Sequence, residues 1–317
     1  MRVTSGIMTT TFFIRRFTCP CSIVNENPLM LEIRPTISVI LPIYNKIEIV
    51  YDCISQNAKN SSQQNNWILI DNGSDENTKL GIKQLTQELS RLGQEAHVIT
   101  EPANTGVARA WNKGIANART EYCLILNNDC VLQKNWDKLF IQSSEQRPGS
   151  IISAFIFEPG DSPLAPDLET FLARQSILSK SNRGRFRPGL FVGITLFGAR
   201  TTFLKVGSFD EKYWLSMEET DFLFRAVQSG ITIGICGDIL GFHYSSVTRK
   251  SVSFDHNKNT QIFLEKHGWD YSRWQGQFWN KLKRSWQKRL KSFSGKLSEI
   301  SECLPPQLPD GKNSAAR

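Results

Sequence analysis

The 317-residue sequence contains no apolar run approaching the roughly 20 residues a membrane-spanning helix needs. It has no CxxC pair. Its seven cysteines, at positions 19, 21, 53, 123, 130, 236 and 303, form an odd, scattered set. A zinc ribbon or disulfide framework is therefore not expected, and reduced thiols in a cytosolic protein are. No GxGxxG follows an apolar strand, which excludes a dinucleotide-binding dehydrogenase. The segment PIYNKIEIV has no glycine, whereas a nucleotidyltransferase needs a glycine-rich basic loop after its first strand. There is no internal repeat, and the only low-complexity tract is the polar tail after Ser301.

What is present is a basic chain, with 38 Lys and Arg against 30 Asp and Glu and a net charge of +8. Most of that excess is local. Lys281, Lys283, Arg284, Lys288, Arg289, Lys291 and Lys296 fall in a stretch without an acid, leaving the remainder near neutrality. A nucleic-acid enzyme would spread its positive charge over the fold, so no nucleic-acid partner is expected. In the same stretch Leu282, Trp286, Leu290, Phe293 and Leu297 recur every three or four residues. Residues 278–297 thus read as a cationic amphipathic helix, suited to an anionic membrane surface or to packing back on the domain. At about 1 kcal/mol per basic residue, attraction to such a membrane would exceed about 5 kcal/mol. The first 30 residues are basic but lack a clean apolar core and cleavage site, so an extension is expected there rather than a signal peptide.

Apolar runs ISVILPIYN (37–45), WILID (67–71) and Tyr122–Leu126 read as buried parallel strands, with a brief strand at Val98 and Ile99. Ser74 and Asp75 can cap a helix carrying Ile82, Leu85, Leu89 and Leu92 that Gly93 closes. Val107, Ala110, Trp111, Gly114, Ile115 and Ala118 share one face of a second helix. Alternating strands and helices predict an α/β domain with a mostly parallel central sheet flanked by helices. Functional groups on such sheets gather beyond the strands' carboxyl ends, where Asn45, Asp71 and Asp129 stand. Further on, Ile151–Phe157 and Phe191–Phe197 read as strands, and 158–189 as a mobile excursion. A helix with the acidic first turn Glu218-Glu219-Thr220-Asp221 ends at Gly230, the strand ITIGIC follows, and then a polar loop carries His243.

Singly these residues are open to bland readings. Asp71 can be a helix cap, Asp129 a turn residue, His243 a structural histidine, and the acidic turn a dipole-matched helix start. Taken in order, PIYN, DNGSD, NTGVARAWNKGI, LILNNDC, GSFDE, MEETDF and the late histidine resemble the family 2 glycosyltransferases of the GT-A fold. The likeness is strongest to the branch that adds rhamnose and related sugars, and it covers Thr36 to Lys250. The expected organisation is an extension over 1–35, a GT-A domain over 36–250, a helical extension over 251–300 and a tail over 301–317.

The resemblance implies an inverting transferase moving a hexose such as rhamnose, glucose or galactose. The donor would be a UDP- or dTDP-sugar, and the acceptor a saccharide or lipid-linked saccharide. Mg²⁺ or Mn²⁺ is the implied cofactor, with Asp129 and His243 as its ligands. Asn127 replaces the usual first acid there and would lie along the nucleotide-sugar. Pro42, Tyr44, Asn45 and Asp71 would bind base and ribose, and Asn104, Gly106 and Arg109 would line the diphosphate-sugar. The base that takes the acceptor proton would be Glu219, in a pair with Glu218 where Glu-Asp is common; Asp221 would support it or position the acceptor. Trp214 could stack on the acceptor sugar or pack as a core aromatic. The alternative is a catalytically degenerate carbohydrate-binding or scaffolding protein on the same fold, suggested by Asn127 and Glu219. A cytoplasmic location is expected, with peripheral attachment to the cytoplasmic face of the membrane as an option.

Overall fold

The computed structural model describes residues 36–159, 165–182, 184–244 and 256–268. The expected N-terminal extension, the basic segment 278–297 and the tail lie outside the described residues. No described helix is long and apolar enough to cross a membrane.

The first half is a run of parallel β/α units. Strand β1 (Ile37–Ile43) leads to helix α1 (Ile47–Asn60), β2 (Asn66–Asn72) to α2 (Glu76–Arg91), and β3 (Glu95–Glu101) to α3 (Val107–Asn117). Strand β4 (Tyr122–Leu126) follows. Strands β3, β2, β1 and β4 lie side by side and parallel. Alternate residues of β1 serve opposite layers. Val39, Leu41 and Ile43 pack with α1 and α2, while Ile40 packs with α3. Helices therefore leave β1 on one face and return to β4 on the other, which opens a crevice at the carboxyl ends of these two strands. At Gly114 that packing is so close that a Cβ would lie 2.2 Å from Ile40.

The second half departs from the simple pattern. After β5 (Cys130–Leu132), α4 (Trp136–Gln146) and β6 (Ile151–Phe157), the segment expected as an excursion contains α5 (Leu168–Asn182) and β7 (Phe186–Pro188). Phe171 and Leu178 of α5 are buried against Phe155, Phe157, Leu240 and Phe242, so this segment is a third packed layer. Strand β8 (Thr195–Ala199) is shorter than the expected 191–197 and antiparallel to β4. Helices α6 (Arg200–Val206) and α7 (Glu218–Gln228) precede β9 (Ile233–His243), and α8 (His256–His267) closes the described chain. The sheet order is β3-β2-β1-β4-β8-β6-β9-β5, with β7 on β9.

Two local devices fix the site. Between Ala154 and Phe155 the β6–β9 register jumps, pairing Ala154 with Cys236 but Phe155 with Leu240. The bulge carries β9 onward, so His243 is the last residue of a strand, opposite Cys130, and not part of the polar loop expected there. Strand β5 is held at the sheet edge by side chains of α1. Asn57 donates to the Cys130 carbonyl and accepts from the Leu132 amide, both at 2.7 Å, and Asn60 donates to the Leu132 carbonyl. These amides imitate a neighbouring strand and close the edge.

Asp137, fully buried at the start of α4, anchors the loop from α1 to β2. It accepts from the Ser62 amide and hydroxyl, the Gln63 amide and Asn65 Nδ2 at 2.8–3.3 Å. Asp137→Ala leaves those donors buried and unserved. The expected loss is about 3 kcal/mol, because a hydrogen bond to a charged group contributes roughly 1.5–3 kcal/mol and neighbours are not additive. Thermal unfolding should move down by roughly 6–12 °C, and a shift under about 2 °C would contradict the anchor.

Candidate functional site

The loop after β4 carries Asp129, the acid expected to hold a metal ion. Asn127 N donates to the Ile194 carbonyl at 3.0 Å, and Asn128 Nδ2 donates to the Pro42 carbonyl at 2.8 Å. The loop is thereby pinned across the crevice between β1 and β4. Next comes Asp129, 5% exposed, whose carbonyl accepts from Tyr244 N at 3.0 Å. Its carboxylate meets His243. Asp129 Oδ1 lies 3.0 Å from His243 Nε2, and Glu158 Oε1 lies 2.9 Å from His243 Nδ1. Burial acts to lower the His243 pKa, but the hydrogen bonds to Asp129 and Glu158 outweigh it and raise it to about 9. With no cation bound, the imidazole is thus a protonated link between two carboxylates. A cation at Nε2 would have to displace that proton.

Glu158 is a member of this cluster that sequence reading passed over. It stands at the carboxyl end of β6, the type of position that singled out Asn45, Asp71 and Asp129, but the Pro- and Gly-containing segment after it masks that strand end as loop.

Among the described residues no group of three or more His, Cys, Asp or Glu side chains is disposed to hold a metal ion. What the chain offers is a two-donor set. Oxygen and nitrogen donors at about 2.0–2.2 Å on adjacent corners of an octahedral shell stand about 3 Å apart. Asp129 Oδ1 and His243 Nε2 are separated by 3.0 Å. That spacing is compatible with two ligands of one divalent cation and equally with a direct hydrogen bond.

The residues expected to bind the nucleotide cluster around two turns, those after β1 and β2. Asn45, at φ 57°, donates its amide to Ser74 Oγ, while its side chain accepts from Asp75 N. Asp71, 2% exposed, accepts from Ser74 N at 2.9 Å, and Asp75 caps α2 through Thr78 N. Pro42 and Tyr44 flank this turn and are only partly buried. Asn72 ties the second of these to the start of α3. Its Nδ2 donates to Asn104 Oδ1 and to the Gly106 carbonyl, and its Oδ1 accepts from the Thr105 amide and hydroxyl. Asn72 was legible only as part of the DNGSD string.

Gly106 opens α3 at φ 86°, a backbone conformation that favours glycine. A Cβ there would lie 2.7 Å from both the Trp214 ring and its carbonyl. Trp214 O also accepts from Val107 N at 3.1 Å, so the start of α3 and the turn before α7 are joined. Gly106 therefore admits an indole in addition to any ligand. Arg109 does not face this turn as an unpaired cation. Its Nε contacts Glu211 Oε2 at 2.8 Å across an exposed surface, and the guanidinium lowers the Glu211 pKa.

The acid pair at the start of α7 reaches the same region through β8. The residue before Ile194, which bonds Asn127, is Gly193; its position leaves room for Glu219, whose Cβ and Cγ would each be 2.5 Å from a Cβ there. Glu218 is buried and Glu219 partly exposed. Ahead of them Ser216 and Met217 hold φ of 75° and 76°, each costing about 1–2 kcal/mol for a residue with a Cβ. Asp221, expected to position the acceptor or support the base, lies between α7 and α8. It is fully buried; Oδ2 meets Arg225 Nε, and Oδ1 meets Lys266 Nζ and His267 Nε2, all at 2.8 Å. Its charge is taken up in joining α7 to α8. No local pattern marks this contact, because 45 and 46 residues separate Asp221 from the two partners on α8.

The profile of glycosyl transferase family 2 matches residues 38–203, more than half of the chain. The chain belongs to that family. The member's sheet order and crevice are those of the GT-A fold. Among curated relatives it is 26% identical over 116 residues to the glycosyltransferase GlyG of Streptococcus pneumoniae, covering 37% of each chain. It is 21% identical over 218 residues to the glycosyltransferase AglE of Haloferax volcanii, covering 68% of each. Among solved structures it resembles the mannosyltransferase PcManGT of Pyrobaculum calidifontis in complex with GDP-Man and Mn²⁺. The TM-score is 0.53 at 15% identity, covering 68% of this chain and 58% of that one. At that identity the likeness shows the fold.

Proposed function

We propose that this family 2 member is an inverting glycosyltransferase that moves a hexose from a nucleoside-diphosphate sugar to a hydroxyl of a saccharide or lipid-linked saccharide. The observation that carries the reading is the 3.0 Å approach of Asp129 Oδ1 to His243 Nε2 at the carboxyl edge of the sheet. The Asn127–Ile194 hydrogen bond and the Gly193–Glu219 packing link that pair to the acidic start of α7. Base and ribose would lie over Pro42, Tyr44 and Asn45, with Asp71 accepting from the base. A donor with an imide N–H, as in uracil or thymine, suits that acceptor, so a UDP- or dTDP-sugar is the expected carrier.

In the reaction the acceptor oxygen attacks the anomeric carbon as the bond to the diphosphate breaks, and configuration inverts. Glu219 takes the proton from that hydroxyl, on the face opposite the leaving group. Asn104 and the opening turn of α3 orient the diphosphate-sugar, and Trp214 offers a partly exposed ring to the acceptor. A bound Mg²⁺ or Mn²⁺ on Asp129 and His243 would neutralise charge on the leaving diphosphate. The catalytic unit is assigned to residues 36–250. The basic segment 278–297 would keep it on an anionic membrane, where a lipid-linked acceptor resides.

Incubating the protein with UDP- or dTDP-hexose and measuring free nucleoside diphosphate tests this. Release should require a divalent ion, stop with excess EDTA and return on adding Mn²⁺ or Mg²⁺. Release unaffected by EDTA would reject the metal assignment. No turnover of any nucleotide-sugar, with or without an acceptor, would favour a binding protein on the same fold.

A further inference from the structure

The acid pair follows an unusual stretch of backbone. Ser216 and Met217 are consecutive left-handed residues, and neither is glycine. Such a conformation persists only where its surroundings hold it. Here the holder is α8. Asn259, 7% exposed, donates Nδ2 to the Leu215 carbonyl at 2.7 Å and the Ser216 carbonyl at 2.9 Å. Two acceptors facing one side chain require the amide nitrogen, with its two N–H groups, to point at them. Four residues on, Phe263 is fully buried in a cluster with Tyr213 and Met217. One further turn on, Lys266 Nζ and His267 Nε2 both reach Asp221 Oδ1 at 2.8 Å. Spacings of four, three and four put these residues on one helix face. Met217 and Asp221 stand two residues before and two after Glu219, so α8 grips the chain on both sides of it.

We propose that Asn259 is a positioning residue. By holding the Leu215 and Ser216 carbonyls it maintains the left-handed turn that aims Glu219, which makes α8 part of the catalytic apparatus without touching substrate. The role in catalysis rests on Glu219 being the base; the grip itself does not. A side chain 40 residues beyond Glu219 thus sets the direction of its carboxylate.

The test compares wild type, Asn259→Ala, and Asn259→Ala combined with Ser216→Gly, all as full-length chains. Steady-state transfer, thermal unfolding and hydrogen exchange of peptides covering 213–222 are measured for each. Asn259→Ala should lower kcat by about tenfold or more, since small misplacements of a reacting group cost up to about 10²-fold. Donor KM should stay within about twofold and exchange over 213–222 should quicken. Adding Ser216→Gly should recover most of the lost kcat, because glycine adopts φ near 75° unaided. If Asn259→Ala does not fold, Asn259→Gln, which keeps the amide but shifts it by one methylene, is read the same way. Wild-type kcat and exchange in the Asn259 variant would overturn the proposal. So would a loss of kcat that Ser216→Gly leaves unrepaired. Faster exchange in Asn259→Ala together with no transfer activity in wild type would instead sink the proposed function and leave only the grip.

Discussion

Glu219→Gln should reduce glycosyl transfer by about 10²–10⁴-fold, the range a positioned general base contributes. Glutamine keeps the length and shape of the side chain, so the packing against Gly193 is retained and only the proton acceptor is lost. Donor affinity and thermal unfolding should therefore stay near wild type. Glu219→Asp is a sharper probe. It restores the carboxylate but withdraws it by about 1.5 Å, one carbon–carbon bond, so its rate should fall between wild type and the glutamine variant. A glutamine variant within about threefold of wild type would remove Glu219 from the chemistry. Equal losses in both variants together with a weaker donor would mean that Glu219 binds and does not take the proton.

Asp129→Asn should be nearly as damaging, by a different route. The substitution keeps the size of the side chain but loses the charge that draws a divalent cation between positions 129 and 243. If cation stabilisation of the leaving diphosphate contributes several kcal/mol, transfer should fall by roughly 10³-fold at one decade per 1.36 kcal/mol. Calorimetry separates this from a folding defect. The variant should bind nucleotide-sugar no more tightly with Mn²⁺ than without it, while wild type gains affinity from the ion. An unchanged gain in Asp129→Asn would show that the carboxylate is not a ligand.

The first half of this protein was written plainly in the sequence because its elements are local. Ile37–Ile43 is a largely apolar run buried on both faces, and the Asp75 cap and Gly93 stop sit beside the helix they bound. Helix α5 was hidden. Its apolar residues cover a separate small core with β6 and β9, and the surrounding Pro, Ser and Gly read as loop. The extension of β9 to His243 depends on a bulge and on a partner strand more than 100 residues earlier. For the candidate site, motif order singled out Asp129, His243 and Glu219, because strand ends and helix starts mark them. It did not bring out Glu158, Asn72 or Asn259. Their importance lies in hydrogen bonds to atoms remote in the chain, and no periodicity or spacing encodes those. Asp221 was visible as an acid in the first turn of α7, but its partners on α8 were not, because they lie a long way further along the chain.

In the proposed reaction the Asp129–His243 pair receives the diphosphate of an activated sugar together with a divalent ion. Thermal unfolding of wild type against UDP-, dTDP- and GDP-sugars, each with Mn²⁺ and with EDTA, tests it most directly, since a ligand bound only by the folded state raises its stability by mass action. A rise in unfolding temperature with a uracil or thymine carrier, present with Mn²⁺ and absent with EDTA, is the predicted result. Equal curves for every carrier in both conditions would contradict it.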